Sequence, residues 1–237
     1  MNLVAHPSVL SGRLVAPASK SHMQRLVAAA LLARGESWIR NPSVAADCIA
    51  AVEVAAGLGA DIEVGHDAIR MEGGLAPRQQ VLPIGESGLG IRLFSPIAAL
   101  ATEQLTLEAS GSLKSRPMQP IADALEPLGV TVGLNEGCPP VVLQGPLKGG
   151  TLSLDGTLSS QFLTGLLMAL PLASEDSTLN VHNLQSRPYV DMTMEVMASA
   201  GISMRHQDHQ TFEIPGGQSY THSTRPLQGT GVRAPFC

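Results

Sequence analysis

Aromatic side chains are scarce, at 3% of 237 residues, so alanine, valine, leucine, isoleucine and methionine must fill the interior, which suits close layers of helix and sheet. A basic excess is missing too: 15 Lys and Arg face 20 Asp and Glu, giving a net charge of −5 and a pI near 5.8. Duplex nucleic acid needs a basic face for its phosphates, so that partner is excluded and any anion site must be local. The three cysteines, Cys48, Cys138 and Cys237, show no CxxC spacing. That excludes a structural disulfide framework or cysteine zinc site and fits a reducing compartment. No stretch reaches the roughly 18 uninterrupted apolar residues that span a bilayer. The opening Met1-Asn-Leu-Val-Ala-His-Pro7 has no basic region followed by an apolar run, so a cytoplasmic location is expected. At 44% hydrophobic residues the chain can fill a real core, and disorder is not expected over most of it.

One plan is used three times. The stretch Asp155-Gly-Thr-Leu-Ser-Ser-Gln-Phe-Leu-Thr-Gly-Leu-Leu-Met-Ala-Leu-Pro-Leu172 runs from a glycine turn through two serines and a glutamine into an apolar helix. Lys20-Ser21 and Gly88 open similar helices, and the starts at Lys20, Gly88 and Ser159 lie 68 and 71 residues apart. Gly59-Ala-Asp-Ile62, Gly129-Val-Thr-Val132 and Gly201-Ile-Ser-Met204 keep the same period, each ending a helix and starting a strand. The pattern predicts helices over 21–34, 45–58, 89–102, 118–128, 160–172 and 189–200. Strands are predicted over 36–40, 61–64, 68–72, 81–84, 105–109, 130–134, 141–144, 151–154, 177–181, 202–206 and 211–214. The expected architecture is an α/β layered domain, residues 16–220, of three βαβαββ units (about 16–75, 76–148 and 149–217) with pseudo-threefold symmetry. Residues 1–15 read as a strand crossing to another body. Residues 221–237 lose all periodicity and read as an irregular tail.

A helix N-terminus offers free N–H groups and a positive dipole end, so three equivalent starts at one surface favour a small, multiply charged anion. Basic residues gather there: Lys20 and Arg25 at the first start, Arg92 one turn into the second, and Lys114 and Arg116 ahead of the next helix. A Ser or Thr before any one helix is usually only a cap. Gly85-x-x-Gly88-x-Gly90 is not the GxGxxG of dinucleotide folds, His206-Gln-Asp-His209 lacks a third metal ligand, and Asp47 and Asp191 read as helix-start acids, with the orientation of site residues as the alternative. Neither a metal nor an organic cofactor is expected.

Pro17-Ala-Ser-Lys20-Ser21-His-Met-Gln-Arg25, Gly85-Glu-Ser-Gly88-Leu-Gly-Ile-Arg92, Arg116-Pro-Met118, Leu158-Ser-Ser-Gln161, Ser186-Arg-Pro-Tyr189-Val-Asp191 and Gly216-Gly-Gln-Ser-Tyr220 follow one another in a recognisable order. Together they resemble the N-terminal half of the 5-enolpyruvylshikimate-3-phosphate synthase family, over about residues 8–220. The resemblance implies an enolpyruvyl transferase-like fold of two such domains with substrates between them. It also implies transfer of the enolpyruvyl group of phosphoenolpyruvate to the 5-hydroxyl of shikimate 3-phosphate. Lys20, Ser21, Arg25, Ser159, Ser160, Gln161, Ser186 and Tyr189 would then hold shikimate 3-phosphate. Lys20, Gly88, Arg92 and Lys114 would face phosphoenolpyruvate, with Lys20 the one catalytic residue of this half.

Three positions depart from the family pattern: Glu86 for asparagine, Leu89 for threonine and Lys114 for arginine. The first puts a carboxylate beside an anion, and a lysine lacks the arginine fork. The family's remaining acid/base groups belong to its C-terminal half, so the chain alone is expected to be inactive. Partners expected are the two substrates and either a separate C-terminal half or a second copy paired through residues 1–15, with no membrane and no nucleic acid. A non-catalytic shikimate 3-phosphate-binding module and a relative of the enzyme that transfers enolpyruvate to UDP-N-acetylglucosamine are the alternatives. With permissible codon choices, reading Arg225–Arg233 one base earlier gives Thr-Val-Ala-Gly-Asp-Trp-Ser, which resembles the family's continuation, so the tail is expected to be a frame slip.

Overall fold

The computed structural model describes residues 17–156 and 160–221 and the backbone of 227–228. The strand expected within 1–15, most of the 221–237 tail and Ser159 lie outside the described residues. The first unit comprises α1 (Lys20–Leu32), β1 (Ala33–Arg40), α2 (Ala46–Gly57), β2 (Asp61–Val64) and β3 (Ala68–Gly73). The second comprises β4 (Val81–Gly85), α3 (Gly88–Ala98), β5 (Gln104–Ala109), a 3-10 turn (Gly111–Ser115), α4 (Gln119–Leu125), β6 (Thr131–Asn135) and β7 (Cys138–Gln144). The third comprises β8 (Gly150–Asp155), α5 (Ser160–Ala169), β9 (Ser177–His182), α6 (Arg187–Ser199), β10 (Arg205–Gln207) and β11 (Thr211–Ile214), followed by β12 (Tyr220–Thr221) and β13 (Leu227–Gln228).

Runs such as Leu26-Val-Ala-Ala-Ala-Leu-Leu32 are apolar on every side, and a helix of that kind is stable only in an interior. Accordingly Met23–Leu32 of α1, Phe162–Ala169 of α5 and every residue of α3 from Leu89 on except Arg92 are buried. Each sheet shows one order. The second reads β4-β5-β7-β6 and the third β8-β9-β11-β10, with the first pair parallel and the others antiparallel. The mixed α/β layout and the threefold repeat expected from the sequence are present.

The first sheet closes differently. Its order is β12-β1-β3-β2, and the parallel strand that β4 and β8 supply elsewhere comes from the far end of the chain, Tyr220 opposite Ala33 and Leu227 opposite Ile39. Gln218 steers the chain there, its Nε2 donating to the Ser203 and Pro215 carbonyls at 3.0 and 2.7 Å. The Tyr220 hydroxyl then donates to the Met168 carbonyl of α5 at 2.8 Å from a fully buried position.

Several boundaries differ from expectation for identifiable reasons. Helices expected to run to 128 and 172 end at Leu125 and Ala169 and finish as 3-10 turns over Glu126–Leu128 and Leu170–Leu172, because Pro127 and Pro171 have no N–H for an α-helical bond. The helix expected to reach 102 carries Pro96 and stops at Ala98. The strand expected from 202 begins at Arg205, since the Ser203 N–H donates to Gln218 Oε1 (2.9 Å) rather than to a neighbouring strand. The strands expected over 130–134 and 141–144 extend towards each other, to Asn135 and from Cys138, and leave only Glu136-Gly137 between them, both at positive φ. Among the described residues, no helix is long and apolar enough to cross a membrane.

Candidate functional site

Cap chemistry fixes two of the central helix starts, those of α1 and α3. Ser19 accepts the His22 N–H at 3.3 Å, and Ser87 accepts the Gly90 N–H at 3.0 Å while donating to Gln24 Oε1 of α1 at 3.3 Å. Gly165 lets α5 lie against α3 backbone to backbone, because a Cβ there would overlap the Arg92 carbonyl. Arg92 then bridges the two starts, donating from Nη1 to the Gly88 carbonyl (2.9 Å) and to Gln161 Oε1 (3.4 Å). The positive ends of α1, α3 and α5 therefore meet at one surface.

Two guanidinium groups crowd the α3 start. A Cβ built on Gly88 would stand 3.1 Å from a terminal nitrogen of Arg116 and 3.3 Å from one of Arg92. Burial lowers the Arg92 pKa, and the Arg116 charge lowers it further. Among the described residues neither arginine forms a close ion pair with a carboxylate, and the two like charges repel each other beside Gly88. An anion between them would relieve that repulsion.

Lys20, at the first position of α1, reaches across to Asp47 Oδ2 in the first turn of α2 at 2.7 Å. Arg25 lies deeper, at 1% exposure, where Nε donates to Thr193 Oγ1 (2.8 Å), Nη1 to the Ser21 carbonyl (2.7 Å), and Nη2 to Thr164 Oγ1 (3.0 Å) and the Tyr189 carbonyl (3.3 Å). All four acceptors are neutral, and burial pushes its pKa down to about 10. The Tyr189 ring lies over it, 5.9 Å from the guanidinium carbon.

Of the residues named from the sequence, Lys20, Ser21, Arg25, Gly88, Arg92, Ser160 and Gln161 come together at the helix starts. Ser186 and Tyr189 join them from α6, where Ser186 is the residue before the helix, at φ 60°, and Tyr189 is 47% exposed. Lys114 is exposed in the 3-10 turn, and Arg116, two residues on, is the cation beside Gly88. Asp47 is in the first turn of its helix, as expected, and it also orients Lys20. Leu89 is buried, so its missing hydroxyl is replaced by packing. Asp191 accepts from His209 Nε2 at 2.6 Å, on the side of α6 that meets the β10–β11 hairpin. Among the described residues no group of three or more His, Cys, Asp or Glu is arranged to hold a metal ion.

A family model described as EPSP synthase (3-phosphoshikimate 1-carboxyvinyltransferase) matches residues 4–227. The chain belongs to the EPSP synthase family. Proteins named 3-phosphoshikimate 1-carboxyvinyltransferase from Methanocorpusculum labreanum and Aeropyrum pernix are 35% and 36% identical over 241 and 214 residues, covering 100% and 90% of this chain but 57% and 50% of the relatives. A solved EPSP synthase from Acinetobacter baumannii shares the fold at TM-score 0.80 and 23% identity, over 93% of this chain and 50% of that one. The chain thus spans about half the length of the curated relatives it matches.

Proposed function

We propose that the chain is the shikimate 3-phosphate-binding half of a 3-phosphoshikimate 1-carboxyvinyltransferase. The observation that carries this is the meeting of three helix starts with Lys20, Arg92 and Arg116 in a family member whose motifs lie on those starts. Shikimate 3-phosphate sits at the starts of α1, α5 and α6. Hydroxyls of Ser21, Ser160 and Ser186, the Gln161 amide and Tyr189 bind its phosphate and ring oxygens, and Arg25 supplies positive charge from beneath Tyr189. Ser159 joins this set on the strength of its motif alone. Phosphoenolpyruvate sits at the start of α3, against Gly88 and between Arg92 and Arg116, with Lys20 reaching both ligands. Arg116 takes the place that the sequence pattern suggested for Lys114.

The overall reaction joins the shikimate 5-oxygen to C2 of phosphoenolpyruvate and breaks the C2–O bond to phosphate. A proton enters at the methylene carbon in the addition step and leaves it in the elimination step, and the product retains the enol ether. This half contributes ligand alignment and cations that neutralise the departing phosphate. Groups that move the protons are assigned to the other half of the family fold.

Mixing this chain with a separately produced C-terminal half of a relative tests the assignment, with phosphate release as the readout. Activity should appear only in the mixture, fall by about a hundredfold in Arg116→Ala and change little in Lys114→Ala. Equal effects of the two substitutions would contradict the placement of Arg116. Saturable binding of shikimate 3-phosphate with no activity in any mixture would favour the non-catalytic module.

A further inference from the structure

Glu86 stands one residue before the α3 cap, within the electrostatic reach of Arg116, where a carboxylate would be expected to repel an anion. Its geometry gives it another task. Glu86 Oε2 accepts both the N–H (2.8 Å) and the hydroxyl (2.9 Å) of Ser112. Gly111, at φ 51°, lies directly under the carboxylate, and a Cβ there would overlap it. The Ser112 N–H, then its hydroxyl, and more weakly the Arg116 charge hold the Glu86 carboxyl below its ordinary pKa.

These bonds tie the 3-10 turn to the start of α3, where a second tie runs from the Ser110 N–H to the Gly85 carbonyl at 2.8 Å. Arg116 is the next residue after that turn, and its N–H is bonded to the Leu113 carbonyl at 3.1 Å. The place of its guanidinium therefore follows the place of the turn.

We infer that Glu86 is a positioning residue which, through Ser112, holds Arg116 against Arg92 at Gly88 and so sets the affinity for the enolpyruvyl donor. This rests on the proposed placement of phosphoenolpyruvate. The position that carries an asparagine in the family pattern has become a clamp, with its acceptor turned away from the ligand and a glycine at 111 making room for it.

Coulomb's law and positioning predict opposite signs. Removing a nearby negative charge should tighten anion binding if the charge is all that matters. Losing a clamp on Arg116 should weaken it.

The experiment is calorimetric titration of phosphoenolpyruvate, together with amide hydrogen exchange at Ser112, on the full chain and its Glu86→Ala, Glu86→Gln and Gly111→Ala variants. Glu86→Ala should weaken binding on the order of tenfold and speed Ser112 exchange. Glu86→Gln keeps an acceptor without the charge, and should bind as well as the parent or better. Gly111→Ala leaves the charge but evicts the carboxylate, and should weaken binding again. Shikimate 3-phosphate affinity should be unchanged in all three. Unchanged or tighter phosphoenolpyruvate binding by Glu86→Ala would overturn the inference, as would Ser112 exchange equal in all variants. Arg116→Ala with undiminished binding would instead sink the ligand placement, and Ser112 exchange would still decide the clamp.

Discussion

Replacing Arg25 by methionine separates charge from packing at the centre of the site. The guanidinium is 1% exposed and has only neutral acceptors. Burial lowers its pKa from the ordinary arginine value to about 10, which corresponds to about 3 kcal/mol of disfavour for the cation, at about 1.4 kcal/mol per unit. Methionine fills a similar volume and removes that term together with four hydrogen bonds. No acceptor is orphaned. Thr193 still donates to the Tyr189 carbonyl (2.8 Å), Thr164 to the Ser160 carbonyl (3.0 Å), and the Ser21 carbonyl keeps its bond within α1. The ligand-free chain should lose no more than about 2 kcal/mol, below the 3–5 kcal/mol typical when a truncation strands a buried charge. Shikimate 3-phosphate affinity should fall at least about tenfold, since a charge-assisted partner is gone. Urea denaturation gives the first quantity and calorimetry the second. A loss above about 4 kcal/mol with affinity retained would refute the reasoning and make Arg25 a structural strut.

Other outcomes follow from the same geometry. Gly165→Ala forces a Cβ into the Arg92 carbonyl and should cost about 1–3 kcal/mol while weakening phosphoenolpyruvate binding through the lost Arg92–Gln161 contact, as checked by denaturation and calorimetry on one sample. Tyr220→Phe leaves the Met168 carbonyl without its buried donor and should lower stability by about 1–2 kcal/mol with substrate binding intact, measured by thermal melting and titration. Burial, then the Arg25 charge, holds His22 below its ordinary pKa of 6.5. The unfolded chain therefore takes up this proton first as pH falls, so stability is full above pH 6.5 and declines below it until the folded-state pKa is passed. The melting temperature of the parent should fall more between pH 7 and 5 than that of His22→Gln.

The repeat was legible because helices that must be buried are apolar all round, as in Leu26–Leu32 and Phe162–Leu170, and because glycine marks recur at one period. Proline positions carried more information than the pattern of apolar residues used. Pro127 and Pro171 each convert a helix end to a 3-10 turn, and a donor count at those positions would have found both boundaries. Lys114 and Arg116 are two residues apart, and spacing does not say which one leaves the turn. The signal lay in the next residue: Pro117 favours an extended Arg116, observed at φ −84° and ψ 133°, which directs it out of the 3-10 turn. Contacts between distant segments had no local trace. Asp47 meets Lys20 from another helix, Glu86 reaches a turn 26 residues away, and β12 completes a sheet begun by Ala33 near the start of the chain.

The central claim is that the starts of α1, α5 and α6, distant from one another in sequence, form one pocket for shikimate 3-phosphate. Calorimetric titration of the purified chain with that ligand, beside Lys20→Ala and Ser160→Ala, tests it most directly. Saturable one-site binding that both substitutions weaken by about tenfold or more is the expected result. Binding that is absent at millimolar ligand, or untouched by both substitutions, would contradict it.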